Sequence, residues 1–145
     1  MVKNIYWRSN TVQNVQDVYQ YLKDAGVYYL GTVEGDQPRL RPFGTQLVFN
    51  GKLYIQTSKA KPCSKQILAN PKVEISAMKA DGTWIRIDGT AVTDDSLDVK
   101  KAMLEEHPQL SGMYSVDDEI MNCLQIKDAT ATVASFAGDT SVVKF

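Results

Sequence analysis

The dipeptide Asn50-Gly51 constrains the fold most strongly, because it joins the apolar run 39–49 directly to the run 52–57. Both central residues of such a tight turn adopt a positive φ, so the dipeptide predicts a β-hairpin. A second hairpin is predicted over 73–92, around Asp81-Gly82. Further runs rich in β-branched, aromatic or alternating residues lie at 27–34, 119–136 and 141–145. The pattern therefore predicts about six antiparallel strands.

Three helices are predicted among these strands. The first is capped by Asn14 and ends at Gly26. Its apolar residues have helical spacing and form one stripe: Val15, Val18, Tyr19 and Leu22. The second spans 63–70, with Pro62 at its first position, and the third spans 94–106. This number of antiparallel strands predicts a closed or nearly closed barrel, with the helices over its openings. Such a fold is a mainly β member of the α+β class.

Length and charge narrow the functional classes. The chain has 145 residues, which suits one domain over 1–145, and no apolar run is long enough to span a membrane. The formal net charge of −1 disfavours nucleic acid or an anionic membrane surface as a partner. Two cysteines are too few for a disulfide framework or a closed zinc site, and residues 1–8 lack the apolar core of a secretory signal. We therefore expect a cytoplasmic protein with reduced thiols and no metal.

Local clustering of cations provides the only candidate site for an anion. Arg39 and Arg41 share one face of their run, and the hairpin is expected to place them beside the segment 55–65. That segment leads into the second helix, whose N-terminus, surrounded by Lys59, Lys61 and Lys65, suits a phosphate. Basic residues around a loop are also commonly just solvated, so the residues alone leave both interpretations open.

The order of these segments is similar to that of a known family. The helix that precedes Gly26 is followed by five matching segments, at 26–33, 37–43, 51–57, 65–73 and 84–89. On these segments the chain resembles the pyridoxamine 5′-phosphate oxidase-like family of FMN-binding split barrels. The resemblance covers most of the chain and implies an antiparallel split β-barrel that forms a homodimer with FMN at the subunit interface.

The resemblance also implies roles for individual residues. Arg41 and Lys61 would hold the phosphate, with Lys65 as a weaker candidate. The backbone of Pro42, Phe43 and Gly44 would run along the isoalloxazine ring, and the ring or the ribityl chain would be contacted by Gln56, Thr57 and Ser58. Trp84 would stack on the flavin or merely pack in the fold.

Departures from the family limit the activity that it implies. No arginine follows Arg86, which argues against oxidation of vitamin B6 phosphates, and the single histidine, His107, is expected to cap a helix or lie at the surface. The resemblance implies a flavin oxidoreductase that passes electrons from a reduced nicotinamide to a small acceptor. A non-catalytic flavin protein for storage, sensing or electron transfer is the alternative, and a deazaflavin or haem in place of FMN also stays open. No catalytic residue is assigned.

Overall fold

The computed structural model describes residues 7–145, so the first six residues of the N-terminal segment lie outside it. The described part has three α-helices, α1 Val15–Ala25, α2 Pro62–Ala69 and α3 Leu97–Glu106, and a short 3-10 helix at Pro108–Gly112. Its strands are β1 Tyr28–Glu34, β2 Gln37–Phe43, β3 Gln46–Phe49, β4 Lys52–Ser58, β5 Lys72–Met78, β6 Trp84–Thr93, β7 Met121–Ala134 and β8 Thr140–Lys144. The fold is mainly β within the α+β class, as predicted, but it has eight strands rather than about six.

All eight strands form one antiparallel sheet. The strand order is β2-β1-β5-β6-β7-β4-β3, and β8 pairs with the far half of β7. Strands β2 and β3 lie at the two ends of this order, and no pairing within residues 7–145 joins them. The sheet is therefore not closed, so of the expected closed or nearly closed barrel the closed form is wrong.

The run 39–49 forms two strands, which accounts for part of the difference in strand number. The chain leaves the sheet at Gly44 and Thr45, because β2 pairs with β1 whereas β3 pairs with β4. The hydroxyl of the fully buried Tyr28 donates a hydrogen bond to the carbonyl of Thr45, so that carbonyl is not free for a continuous ladder. Only β3 therefore lies beside β4 across the Asn50-Gly51 turn. The prediction that this hairpin places Arg41 beside the segment 55–65 is wrong, because Arg41 belongs to β2.

The helices lie on both faces of the sheet: α1 and α2 pack against one face, called the inner face, and α3 packs against part of the opposite, outer face. In α1, Oδ1 of Asn14 accepts the N–H of Asp17 at 3.0 Å, and Gly26 ends the helix with φ near 84°, both as predicted. The main core packs Val18 and Leu22 of α1 against apolar side chains of the sheet. A smaller core lies under α3 and contains Val99, Met103, Tyr54 and Cys123. None of the helices in 7–145 has both the length and the apolar character of a membrane span.

A bulge in β7 shapes the middle of the sheet, because two residues of β7 lie opposite the single residue Gly89 of β6. The register between β6 and β7 shifts between Asp88 and Thr90, at Gly89. A Cβ atom on Gly89 would lie 2.9 Å from both Cβ of Ala129 and the carbonyl oxygen of Lys127. Such contacts are too short for any side chain, so glycine is required by the close approach of the two strands.

Polar contacts fix the two ends of α3. At its start, Asp94 accepts hydrogen bonds from the N–H of Ser96 at 3.0 Å and from the hydroxyl of Tyr54 at 2.8 Å, and these bonds hold the pKa of Asp94 below its ordinary value. At its end, His107 caps the helix, as predicted, but is buried rather than at the surface. Nε2 of His107 lies 2.8 Å from the carbonyl oxygen of Gln46, which ties α3 to β3.

Candidate functional site

A cleft of about 560 Å³ lies where β2, the end of β4 and the start of α2 meet. Its walls are formed by Glu34, Arg39, Leu40, Arg41, Pro42, Phe43, Thr57, Lys61, Pro62, Cys63 and Gln66. Strands β2 and β4 are far apart in the strand order, so the curvature of the sheet and the position of α2 bring these residues together. The volume is within the range of pockets that bind small ligands and cofactors.

The N-terminus of α2 opens into this cleft. Pro62 is the first residue of the helix, and the N-cap residue Lys61 makes no capping bond with its side chain. The first turn contains no acidic residue to neutralise the helix dipole. Backbone N–H groups at such a helix start attract an anion through both hydrogen bonds and the positive end of the dipole.

The charged side chains of the cleft favour an anion as well. Three cationic side chains and one carboxylate line it, which leaves a net charge of +2. The carboxylate, Glu34, pairs with Arg39 at 2.8 Å in an exposed position. Among the described residues Lys61 has no ion-pair partner, and Arg41 contacts only neutral acceptors. Arg41 and Lys61 are therefore the cations available to a ligand.

Five of the predicted cofactor-binding residues line the cleft: Arg41, Pro42, Phe43, Thr57 and Lys61. Five do not: Gly44, Gln56, Ser58, Lys65 and Trp84. The split within β4 follows from strand alternation, which turns Thr57 towards the cleft and its two neighbours to the other face. The predicted contacts of the second five residues with a cofactor stay predictions.

The neighbours of Thr57 make other contacts. Nε2 of Gln56 donates to the carbonyl of Thr57 at 2.8 Å. The hydroxyl oxygen of Ser58 accepts the N–H of Ala60 at 3.1 Å, in the turn before α2. Both side chains thus fix the end of β4. Trp84, on the outer face of the sheet, packs against the ring of Phe136 with 4.8 Å between the ring centroids.

Lys65 lines a second cleft, also of about 560 Å³, on another side of α2. The walls of this cleft are largely apolar, and its other lysine, Lys59, is paired with Asp95 at 2.7 Å. The first two residues of α2, Pro62 and Cys63, line the cleft at Arg41 and not this one. The cleft at Arg41 is therefore the better anion site.

Cys63, Gln66 and Thr32, at or behind the cleft, were not assigned to ligand binding from the sequence. Cys63 and Gln66 lie one and four positions after Pro62, on the same side of α2, so helical spacing was a signal for both. Thr32 is buried behind Arg41, and the pairing of β1 with β2 places it opposite Arg39, on the same face as Arg41. The Cys63 sulfur lies 3.7 Å from the Thr57 hydroxyl and is almost fully buried.

The histidine lies outside this cleft. The single histidine, His107, lies at the end of α3 and contacts the backbone of β3. Within residues 7–145 no three histidine, cysteine or carboxylate side chains are grouped as metal ligands. The cleft thus combines cations, a helix start and neutral polar groups.

Comparisons with solved structures place this geometry among known proteins. A NimC/NimA family protein from Clostridium acetobutylicum is 43% identical, with a TM-score of 0.86 over 95% of this chain and 99% of that one. A protein related to general stress protein 26, of the pyridoxinephosphate oxidase family and also from C. acetobutylicum, is 12% identical, with a TM-score of 0.69 over 90% and 94%. A heme binding protein from Mycobacterium smegmatis is 12% identical, with a TM-score of 0.66 over 85% of this chain and 57% of that one. No protein-family model and no curated protein matches the chain.

Proposed function

Because the chain belongs to the NimC/NimA family, whose structural neighbours include pyridoxamine 5′-phosphate oxidase-like proteins, we propose that it binds FMN in the cleft at Arg41. One observation carries the proposal: the start of α2, without a side-chain cap or an acidic residue, opens between Arg41 and Lys61. A phosphate monoester is the part of FMN that matches two cations and a helix N-terminus.

The other walls of the cleft fit the remaining parts of FMN. Pro42 and Phe43 offer an apolar edge and an extended backbone for a planar ring. Thr57 would offer a hydroxyl to the ribityl chain. Pockets that bind cofactors commonly combine an apolar wall with a few polar groups in this way.

Flavin fits the cleft better than haem, although a heme binding protein shares the fold. Haem iron is held by a histidine, a thiolate, a methionine or a tyrosinate. His107 is outside the cleft, and the Cys63 thiol is buried beside Thr57, at the floor. The cationic walls also match a compact phosphate. Optical titration distinguishes the two cofactors, and a Soret band with no response to FMN would contradict the choice.

We propose further that the protein is an oxidoreductase that passes electrons from a reduced nicotinamide to a small acceptor. Bound FMN supplies the redox chemistry, and the chain binds and orients it. Anaerobic mixing of the FMN-loaded protein with NADH and with NADPH tests this step, by the loss of flavin absorbance. Reduction by one of them is expected. An FMN complex that neither coenzyme reduces would support the alternative, a flavin protein without turnover.

A homodimer is the third part of the proposal, supported by the outer face of the sheet. This face exposes Tyr29, Leu40, Met78 and the Trp84–Phe136 pair, with Leu40 exposed by 74% and Phe136 by 83%. Exposed apolar residues in such number mark interaction surfaces, and Leu40 also lines the cleft, so an interface here would reach the cofactor.

Sedimentation velocity tests the dimer directly. We expect a dimer for the unmodified protein and a monomer for Leu40→Arg, which buries a charge in the interface. Leu68→Arg is the matched control, because Leu68 is 88% exposed but lies on α2, outside the outer face. An unmodified protein that sediments as a monomer at micromolar concentration would contradict the shared site.

The two free, buried cysteines fit the cytoplasmic location that we also propose.

A further inference from the structure

Arg41 is held in place by its own protein before any ligand binds. Its hydrogen bonds run from Nη1 to Oγ1 of Thr32 at 2.7 Å, to the carbonyl of Leu30 at 3.1 Å and to that of Arg39 at 3.3 Å, and from Nη2 to Oε1 of Gln66 at 2.8 Å. These contacts come from three elements, β1, β2 and α2. The guanidinium is therefore fixed in orientation rather than free to sample rotamers.

Thr32 and Gln66 form the rigid part of this support. The Thr32 hydroxyl donates to Oε1 of Gln66 at 2.5 Å, so the two side chains and the guanidinium make a closed triangle. Thr32 is 2% exposed and Gln66 is 8% exposed. A polar group this deeply buried is costly to leave unpaired, so each of these bonds is expected to persist in solution.

The triangle leaves one edge of the guanidinium open. The Nη1 hydrogens and one Nη2 hydrogen are used by the contacts above. The second Nη2 hydrogen and the Nε hydrogen have no acceptor within residues 7–145. These two N–H groups lie side by side on the guanidinium plane, and two parallel donors are the arrangement that binds two oxygens of one phosphate.

Resting on the proposed function, we propose that Thr32 and Gln66 are positioning residues that set the preference of this site for a phosphorylated flavin over riboflavin. In this role they act on the phosphate through Arg41: Thr32 is buried behind the guanidinium, and Gln66 lines the cleft beside it. Without them the guanidinium regains its rotamers, and part of the phosphate binding energy is spent on ordering it. Contacts with the flavin ring do not depend on them, so riboflavin affinity is expected to stay constant.

Flavin fluorescence titrations test this inference with Thr32→Val and Gln66→Met, each of which removes a hydrogen-bonding group at similar size. The measured quantity is the ratio of the dissociation constants for riboflavin and FMN. We expect the ratio to fall about tenfold in each variant, with the riboflavin constant unchanged. A general loss of structure would weaken both flavins alike. Thr32→Ser restores the hydroxyl and is expected to restore the ratio.

Gln66→Glu is a second test of the contact between Gln66 and Arg41, in which a charge is added and the hydrogen-bond acceptors are kept. It serves in place of Gln66→Met if that variant does not fold. It retains acceptors for Arg41 and Thr32 but places a carboxylate beside the guanidinium, so FMN affinity is expected to fall while riboflavin affinity holds. Gln37→Glu adds the same charge at the exposed start of β2 and serves as the control.

The outcomes separate the two proposals. An unmodified protein without preference for FMN over riboflavin contradicts the phosphate site itself. An unmodified protein that prefers FMN, with variants at Thr32 and Gln66 that keep the full ratio, overturns the positioning role alone. A lower ratio in both variants, restored by Thr32→Ser, supports it.

Discussion

Replacing Arg41 by methionine is the sharpest perturbation of the proposed phosphate site. Methionine fills much of the same space without the charge or the donors. Loss of a hydrogen bond between charged partners costs about 1.5–3 kcal/mol, which corresponds to about a 10- to 150-fold weaker affinity for FMN. The binding partners of Arg41 within the protein are neutral, so the loss is assigned to the ligand rather than to a broken ion pair.

Stability enters the same calculation. When Arg41 is removed, Gln66 keeps its hydrogen bond from Thr32, and the Thr32 hydroxyl still donates although its oxygen loses the donor Nη1 of Arg41. We expect the free energy of unfolding to fall by about 1 kcal/mol, against a total of about 5–15 kcal/mol for a domain of this kind. The variant therefore stays folded, which circular dichroism verifies before titration.

The assay is quenching of flavin fluorescence, with FMN and riboflavin titrated in parallel. Arg39→Met is the matched control, because Arg39 is on the same strand and lines the same cleft but is paired with Glu34 at the surface. Its FMN affinity is expected to change by less than about threefold, as exposed ion pairs contribute little. An Arg41→Met protein with unchanged FMN affinity would refute the phosphate assignment.

Three further predictions concern stability and the thiols. In urea denaturation, Gly89→Ala is expected to lower the free energy of unfolding by about 1–3 kcal/mol. The control Gly112→Ala, with open space around its Cβ, is expected to change it by less than about 0.5 kcal/mol. Equal effects would contradict the close approach of the strands at Gly89. The pKa of Asp94 lies below its ordinary value of 3.8, so its contribution to the free energy of unfolding is present above about pH 4 and is lost as the pH falls further. At neutral pH, Asp94→Asn should lower the free energy of unfolding by a few tenths to about 1 kcal/mol, and this difference should shrink in acid. A difference that stays constant with pH would argue against this linkage. Burial raises the pKa of Cys123 to about 12, and Cys63 is 3% exposed, so neither thiol should react with Ellman's reagent in the native protein at mildly alkaline pH, and both should react after denaturation; a fast native reaction would contradict their burial.

Local sequence signals predicted most of the secondary structure. The Asn14 cap, the Gly26 end of α1 and the tight turns at Asn50-Gly51 and Asp81-Gly82 all depend on a few neighbouring residues, and each lies where it was predicted. The break of the run 39–49 was missed, because the hydrogen bond from Tyr28 to Thr45 joins residues that the local pattern does not connect. Strand number and closure depend on such contacts.

At the candidate site, too, local features were predicted and contacts between distant residues were missed. Charge and the helix start at Pro62, both local features, indicated a basic cluster, and the family resemblance singled out Arg41 and Lys61 within it. The support of Arg41 was not predicted, since Thr32 and Gln66 are 34 positions apart and meet only when α2 packs across β1. A network of neutral side chains carries no charge pattern or motif that a sequence would display.

Binding of FMN is the central claim, and titration of the cofactor-free protein with FMN tests it most directly. Flavin absorbance and fluorescence report binding, with riboflavin as the comparison ligand. We predict saturable binding, with a shifted flavin spectrum, quenched fluorescence and a clear preference for FMN over riboflavin. A flavin spectrum and fluorescence that stay those of free FMN at every protein concentration would contradict it.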